Sequence, residues 1–335
     1  MMKNLILAAL FSATAAMAGA QEVNIYSSRQ PELIDPILEA FSEETGIAVN
    51  VVFLKKGLLE RLRAEGRRSP ADLILTADIA NLDAAAQTGL TQPVQSEIIE
   101  ANIPPAYRDD AGQWFGLTSR ARIIYASKAR VAEGEISSYE ELANPEWRGR
   151  ICTRSGLHDY NIALTAAYLY HYGEAATIDW LEGVKANLAR APQGNDRAQV
   201  KAIWAGECDI AVGYTYYMGK MLADPEQAEW ANAVRLIFPT LNGVGTHINL
   251  SGMAMTKAAP NPENALKLME FLSGDTAQAL YAEANYEYPL NPDIPPSPLV
   301  AGWGEFTPDP TSLANIARLR SEALRLVELV DFDEQ

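Results

Sequence analysis

Between Val23 and Gln87, short apolar runs alternate three times with stretches of helical period. Val23-Asn24-Ile25-Tyr26 reads as a strand. Leu33, Ile34, Ile37, Leu38 and Phe41 then recur at helical spacing, and Gly46 closes that helix. Val49 to Leu54 repeats the strand signal and Leu58 to Glu65 the helix. Asp72-Leu73-Ile74-Leu75-Thr76 is a third strand, followed by a helix from about Ile79 to Gln87. Three βα units in a row predict a largely parallel sheet with helices on its faces.

The alternation then changes character. Ile103 to Gly116, with Pro104, Pro105 and Trp114, reads as a loop, and Ala121-Arg122-Ile123-Ile124-Tyr125 as a strand that carries the chain into a second lobe. Ser138 to Arg150 reads as a helix and turn, Ile151-Cys152-Thr153-Arg154 as a strand, and Asp159 as the cap of a helix from Tyr160 to His171. Asp196 begins a helix to Ala205, closed by Gly206. Val234 to Phe238 and Asn249 to Met255 are expected to return to the first lobe. Asn261-Pro262-Glu263 starts a helix whose core face holds Leu266, Met269 and Phe271, and a last helix lies near Thr311 to Leu329. A chain of this length suits two lobes. Residues 21–118 plus 246–295 are expected to form lobe 1, and 119–245 plus 296–335 lobe 2.

Residues 1–20 read as a signal peptide: Lys3, an apolar segment from Leu5 to Met17 too short to span a bilayer, and the small-residue site Ala18-Gly19-Ala20. No Cys follows the site, so no lipid anchor is expected, and a soluble protein of a Gram-negative periplasm is. The formal net charge of −16 argues against nucleic acid and anionic lipid as partners and fits either plain solubility or a cationic cargo. Cys152 and Cys208 are candidates for a disulfide in such a compartment, provided their Cα atoms come within reach.

The most unusual stretch is Ile210-Ala211-Val212-Gly213-Tyr214-Thr215-Tyr216-Tyr217-Met218. A short buried strand runs into three tyrosines within four positions and then into a helix. Adjacent residues share no face of a strand, so Tyr216 and Tyr217 serve one site only if the chain bends between strand and helix. Such junctions are where open α/β sheets place ligands. Two phenol oxygens brought together make a poor apolar core and a good seat for a hard, highly charged cation. A packing role with satisfied hydroxyls is the ordinary alternative for any one of fourteen tyrosines.

Enzymatic signatures are missing. The chain has no Walker-type phosphate loop, no Gly-x-Gly-x-x-Gly after a strand, no His-Glu-x-x-His and no Gly-x-Ser-x-Gly. Its three histidines, His158, His171 and His247, have no zinc-like spacing. A binding protein rather than an enzyme is expected. A secreted hydrolase stays as the distant rival.

Several motifs together resemble the periplasmic ferric-iron-binding proteins of ABC importers, the bacterial transferrins. They are Val23-Asn24-Ile25-Tyr26-Ser27-Ser28-Arg29, Ser69-Pro70-Ala71-Asp72-Leu73-Ile74-Leu75-Thr76, Phe115-Gly116-Leu117-Thr118-Ser119-Arg120-Ala121-Arg122, Arg154-Ser155-Gly156-Leu157-His158-Asp159-Tyr160-Asn161, and Thr215-Tyr216-Tyr217. The resemblance covers nearly the whole mature chain. It implies an α/β, type II periplasmic solute-binding fold, with a ligand cleft between two lobes joined by crossing strands. It also implies Tyr160, Tyr216 and Tyr217 as Fe(III) ligands and Arg120 as the anion-contacting arginine. A monomer that delivers iron to an inner-membrane ABC permease follows from the same likeness.

The chemistry of those residues agrees. Phenolate is a hard anionic donor, and although a free phenol ionises near ~10, a trivalent cation displaces its proton at neutral pH. Three phenolates cancel the ion's charge in a partly buried site. The chain departs from many relatives in having Gln30-Pro31 where they carry His, often followed by Tyr, and Ala77 where some carry Glu. Three tyrosines leave an octahedral shell incomplete, so carbonate or bicarbonate is expected to supply the remaining oxygens. Arg122 competes with Arg120 for that anion, since alternation along a strand puts both on one face. Arg29 and Gln30 are rim candidates, and Tyr214 a structural or supporting one. His158 is more often a turn residue than a ligand. Another cargo on the same scaffold, such as a polyamine, sulfate, thiamine or a metal chelate, is the nearer rival.

Overall fold

The structure is a computed structural model that describes residues 21–334; the expected signal peptide lies outside the described residues. Nine strands are described: β1 (Glu22–Ser27), β2 (Ala48–Phe53), β3 (Leu73–Thr76), β4 (Phe115–Ser127), β5 (Ile151–Cys152), β6 (Ile210–Tyr214), β7 (Val234–Ile237), β8 (Ile248–Met255) and β9 (Tyr288–Pro289). Their order is β2-β1-β3-β8-β4-β6-β5, with β7 and β9 also pairing β4. The first three strands are parallel, as three successive βα units require. β8 then runs antiparallel between β3 and β4.

The two lobes meet in β4. Its first half, Phe115 to Ala121, pairs with β8, while Arg122 to Ala126 pairs with β6 and Ile124 to Ser127 with β7. One continuous strand therefore belongs to two sheets. All thirteen of its residues are buried. It begins six residues earlier than its apolar run suggests, because Thr118, Ser119 and Arg120 hide the strand signal. Gly116 is needed there: a Cβ would lie 2.7 Å from the Leu290 side chain and 2.9 Å from the Tyr107 carbonyl.

Burial on both faces explains the apolar composition of β1 and β3. Val23, Ile25, Leu73 and Leu75 face one core with Phe41, Met253, Leu268 and Tyr281. Tyr26 and Ile74 face the other, which extends into lobe 2 through Ile123, Ile124, Trp147, Leu181 and Ile210. β2 is an edge strand and leaves Val51, Val52 and Phe53 exposed.

Other expectations need correction. β7 does not return to lobe 1; it pairs with the lobe 2 half of β4, and only β8 crosses back. Glu140–Ala143 and Pro145–Trp147 are 3-10 turns rather than a helix, since Pro145 lacks the N–H that would continue one. The helix Asp159–Ala186 is capped by His158, whose Nδ1 accepts the Tyr160 N–H, so Asp159 is not the cap. In the helix Pro262–Ser273 the buried stripe is Ala265, Leu268, Met269 and Leu272; Leu266 and Phe271 flank it half-buried. The last helical segment divides at Leu319 into Leu313–Arg318 and Arg320–Leu329.

Candidate metal centre

The candidate tyrosines leave the carboxyl ends of two neighbouring parallel strands. β5 and β6 pair parallel. After β5 the chain passes through Thr153-Arg154-Ser155 to the helix that starts at Asp159 and carries Tyr160 in its first turn. After β6, Tyr216 and Tyr217 fall in the first turn of the helix Thr215–Leu222. The bend that the adjacent pair requires is thus the β6-to-helix junction. Gly213 lets that junction sit close to β4, since a Cβ would come within 2.1 Å of the Tyr125 ring. Tyr125 in turn donates to the Tyr214 carbonyl at 2.6 Å.

The aromatic rings form two sets, one of Tyr216 and Tyr217 and one of Tyr160, Tyr214 and His158. Tyr216 and Tyr217 lie 4.1 Å apart between ring centroids. Tyr160 meets Tyr214 edge-on at 4.7 Å and His158 at the same distance. Tyr216 is buried, and Tyr160 and Tyr217 are half-buried. Burial pushes the Tyr216 phenol well up, and the neighbouring phenols of Tyr160 and Tyr217 push it further. Tyr217 is raised by burial, then by Asp196 and Tyr160. Without a cation these two hydroxyls stay protonated at neutral pH.

Around them stand two charge clusters, each with two arginines and one carboxylate. Asp196, fully buried, pairs with Arg122 at 3.2 Å and Arg154 at 2.8 Å, and accepts the Tyr214 N–H at 2.9 Å. Glu287 is 2.9 Å from Arg29 and 3.6 Å from Arg120, and accepts from Thr118 at 2.8 Å. Each cluster carries one surplus positive charge. A guanidinium lies over an aromatic face in both: Arg122 over Tyr214 at 4.8 Å and Arg154 over Tyr160 at 5.0 Å, with Arg120 5.5 Å from the Tyr214 ring. Burial works against the charge on Arg120, but Tyr160, Glu287, Tyr214 and Tyr216 outweigh it and hold the guanidinium firmly protonated.

The two competing arginines differ in their bonding. Arg122 donates to Asp196 and, at 2.6 Å, to Asn161. Arg120 donates through Nη2 to the Ala77 carbonyl, while its buried Nη1 has no hydrogen-bond acceptor among the described residues. The Tyr214 hydroxyl and Thr215 Oγ1 are likewise without partners there. Arg29 is not a rim residue; it is 2 % exposed because Glu287 draws it inward. Gln30 stays exposed. Cys152 and Cys208 are joined in a disulfide with Cα atoms 5.8 Å apart. Among the described residues, no three His, Cys, Asp or Glu side chains gather as a metal would require.

Sequence reasoning missed Glu287 and the part played by Asp196. Asp196 was legible only as a helix start. Glu287 sits in Asn285-Tyr286-Glu287-Tyr288, where no period announces burial. Between the lobes, Ser28, Thr76, Lys55, Lys56, Asp159 and Arg320 line part of a cavity of about 330 Å³.

A model of the bacterial extracellular solute-binding proteins matches residues 68–300. Iron uptake protein A1 of Synechocystis is 45% identical over 92% of this chain and 86% of its own length. The apo ferric ion-binding protein A of Pasteurella haemolytica superposes with a TM-score of 0.90 at 49% identity, covering 94% of this chain and 99% of that one. A Trichodesmium protein solved in complex with iron and citrate ligands gives 0.87 at 36% identity, over 93% and 99% of the two chains. The two-lobed fold expected from the sequence is the fold of these ferric-binding proteins. No described helix is long and apolar enough to cross a membrane. The chain belongs to the bacterial extracellular solute-binding protein family, and within it to the group of iron uptake and ferric iron-binding proteins.

Proposed function

We propose that the protein is exported, captures Fe(III) between its lobes through the phenolates of Tyr160, Tyr216 and Tyr217, and delivers it as a monomer to an ABC permease. The observation that carries this reading is that Tyr160 and the adjacent pair open two helices that leave neighbouring parallel strands, near enough for the Tyr160 oxygen to act on Tyr216, Tyr217 and Arg120. A trivalent ion there converts three costly phenolates into a neutral unit. A synergistic anion, carbonate or bicarbonate, completes the shell. Arg120 is its natural partner, because its Nη1 lacks an acceptor while the terminal nitrogens of Arg122 are engaged. The lobe boundaries expected from the sequence, near residues 118, 246 and 296, are retained in this reading. Arg29 and Tyr214 support the site from behind, and Gln30 is left at its edge.

The test is optical. Phenolate-to-iron charge transfer should turn the ferric, bicarbonate-loaded protein orange-red, and Tyr217→Phe should bleach it. A protein that stays colourless after loading sinks the proposal. One observation favours a second form of the anion. The Trichodesmium relative holds citrate with its iron. In the cavity lined by Lys55, Lys56 and Arg320 with Glu60 and Asp159, the two lysines are the cations left to meet a small polycarboxylate, since Arg320 already pairs with Asp159. Ferric titrations with bicarbonate alone and with citrate alone distinguish the two, by which anion develops the colour.

A further inference from the structure

Residues 55–68 of this acidic chain are basic. Lys55, Lys56, Arg61, Arg63, Arg67 and Arg68 stand against only Glu60 and Glu65, in a protein of net charge −16. All six cations are exposed. They lie on the turn after β2, on the helix Leu58–Glu65 and on the 3-10 turn Gly66–Arg68. Leu58, Leu59 and Leu62 pin that helix to the core, which leaves the charged face outward. Among the described residues only Arg61 of these has a carboxylate partner, Glu65 at 2.8 Å. Elsewhere Arg120, Arg122, Arg130, Arg150, Arg154 and Arg325 each have one. With 43 acidic residues in the chain, Arg63, Arg67 and Arg68 are not unpaired for want of acids.

The position of this surface matters as much as its sign. Lys55 and Lys56 also line the cavity between the lobes, which Asp159, the neighbour of Tyr160 in the chain, lines from the other lobe, so the basic surface begins at that opening and runs outward over lobe 1. Next to it, β2 exposes Val51, Val52 and Phe53 at 36 to 42 %. Whatever receives the cargo must meet the cleft mouth. We propose that this edge of lobe 1 is the docking surface for the permease, and that it fits an acidic, carboxylate-bearing surface on the permease's periplasmic side. This rests on the transport reading above. A protein surface suits the patch better than a bilayer does, because beside the cations β2 presents an exposed strand edge, whose main-chain groups a protein can pair and a lipid surface cannot. At close contact the local cations govern, since charges more than about 8 Å away are screened at physiological salt. Oppositely charged rims mainly speed encounter and fix register.

The test uses the full-length protein in cells that lack their own copy. Arg63→Glu, Arg67→Glu and Arg68→Glu are combined, leaving the cavity-lining lysines untouched. Purified, the triple variant should load Fe(III) with the wild-type spectrum and affinity. In cells its radioiron uptake rate should fall about tenfold at equal expression, and the Arg→Lys triple variant, which keeps the charge, should restore it. If the Glu variant feeds uptake at the wild-type rate, the docking surface is overturned. If the wild type sediments with phosphatidylglycerol vesicles and the Glu variant does not, the partner is lipid and the acidic protein surface is overturned. A wild-type chain that loads no iron overturns the transport reading and takes this proposal with it, which separates the two failures.

Discussion

Glu287 holds Arg29 by two hydrogen bonds, of 2.9 and 3.3 Å, with both side chains almost fully withdrawn from water. The two residues are 258 positions apart. Among the described residues Glu287 is also the carboxylate that pairs with Arg120, 3.6 Å away, and Thr118 on β4 donates to it. The carboxylate therefore ties the end of β1 to the crossing strand. Burial opposes its charge, but Arg29 and Arg120 more than reverse that and hold the carboxyl below its usual range.

Glu287→Gln should accordingly be costly. It leaves two buried guanidiniums without their counterion, the situation that typically destabilises by about 3–5 kcal/mol. Urea unfolding should show a lower midpoint with an unchanged slope. A loss below about 1 kcal/mol would mean that the network is not coupled as its distances suggest.

How much of this was legible beforehand depends on the range of the interaction. The helices Ile79–Gln87 and Asp196–Ala205 and the strands around them were readable because their signals are local: period, cap and closing glycine. The bend at Tyr216 and Tyr217 was readable because a strand running into a helix there is itself a geometric statement. The start of β4 was not, since Thr118 and Arg120 look like loop residues until Glu287 and the Ala77 carbonyl are brought to them. Nor were the separate partners of Arg120 and Arg122, which alternation along β4 puts on one face.

Stability should also fall in mild acid because of His247. This residue sits just before β8, 2 % exposed, with neither ring nitrogen hydrogen-bonded among the described residues. Burial lowers it to about 4; Asp309 opposes the shift, and Arg122 and His171 add to it. Its folded pKa is thus below the unfolded value near 6.5, so the unfolded chain binds the proton more readily. Stability is unaffected above about 6.5 and is lost as pH falls from there toward 4, by on the order of 3 kcal/mol. His158, also lowered to about 4 by burial and Arg154, adds to the same trend. Thermal melts of the wild type and His247→Gln across that window should show a shallower slope in the variant. Equal slopes would remove His247 from the account.

The disulfide should matter for lobe 2 more than for colour. It closes 56 residues of chain between the strand that leads toward Tyr160 and the one that leads to Tyr216 and Tyr217. Loop closure of that length corresponds to about 4 kcal/mol in the chain-entropy model, with about 2–4 commonly realised. Replacing both Cys152 and Cys208 by Ser should lower the melting temperature by several degrees, while the ferric spectrum at 20 °C persists. A bleached spectrum in the folded variant would show instead that the bond positions the ligands.

The last prediction concerns protons. Burial and neighbouring phenols keep Tyr216 and Tyr217 protonated before any cation arrives. If three phenols become ligands, capture of one Fe(III) must release about three protons, with any from the anion added. Calorimetry of ferric loading in buffers of different ionisation enthalpy at pH 7 measures that number directly. Tyr217→Phe should release one fewer, and affinity should fall by more than the 10–100-fold typical of losing an outer partner of a metal ligand. The same stoichiometry makes release steep in pH, since each proton returned to a phenolate weakens the hold on the ion. Release of fewer than two protons by the wild type would mean that the tyrosines are not the ligands, whatever colour the protein shows.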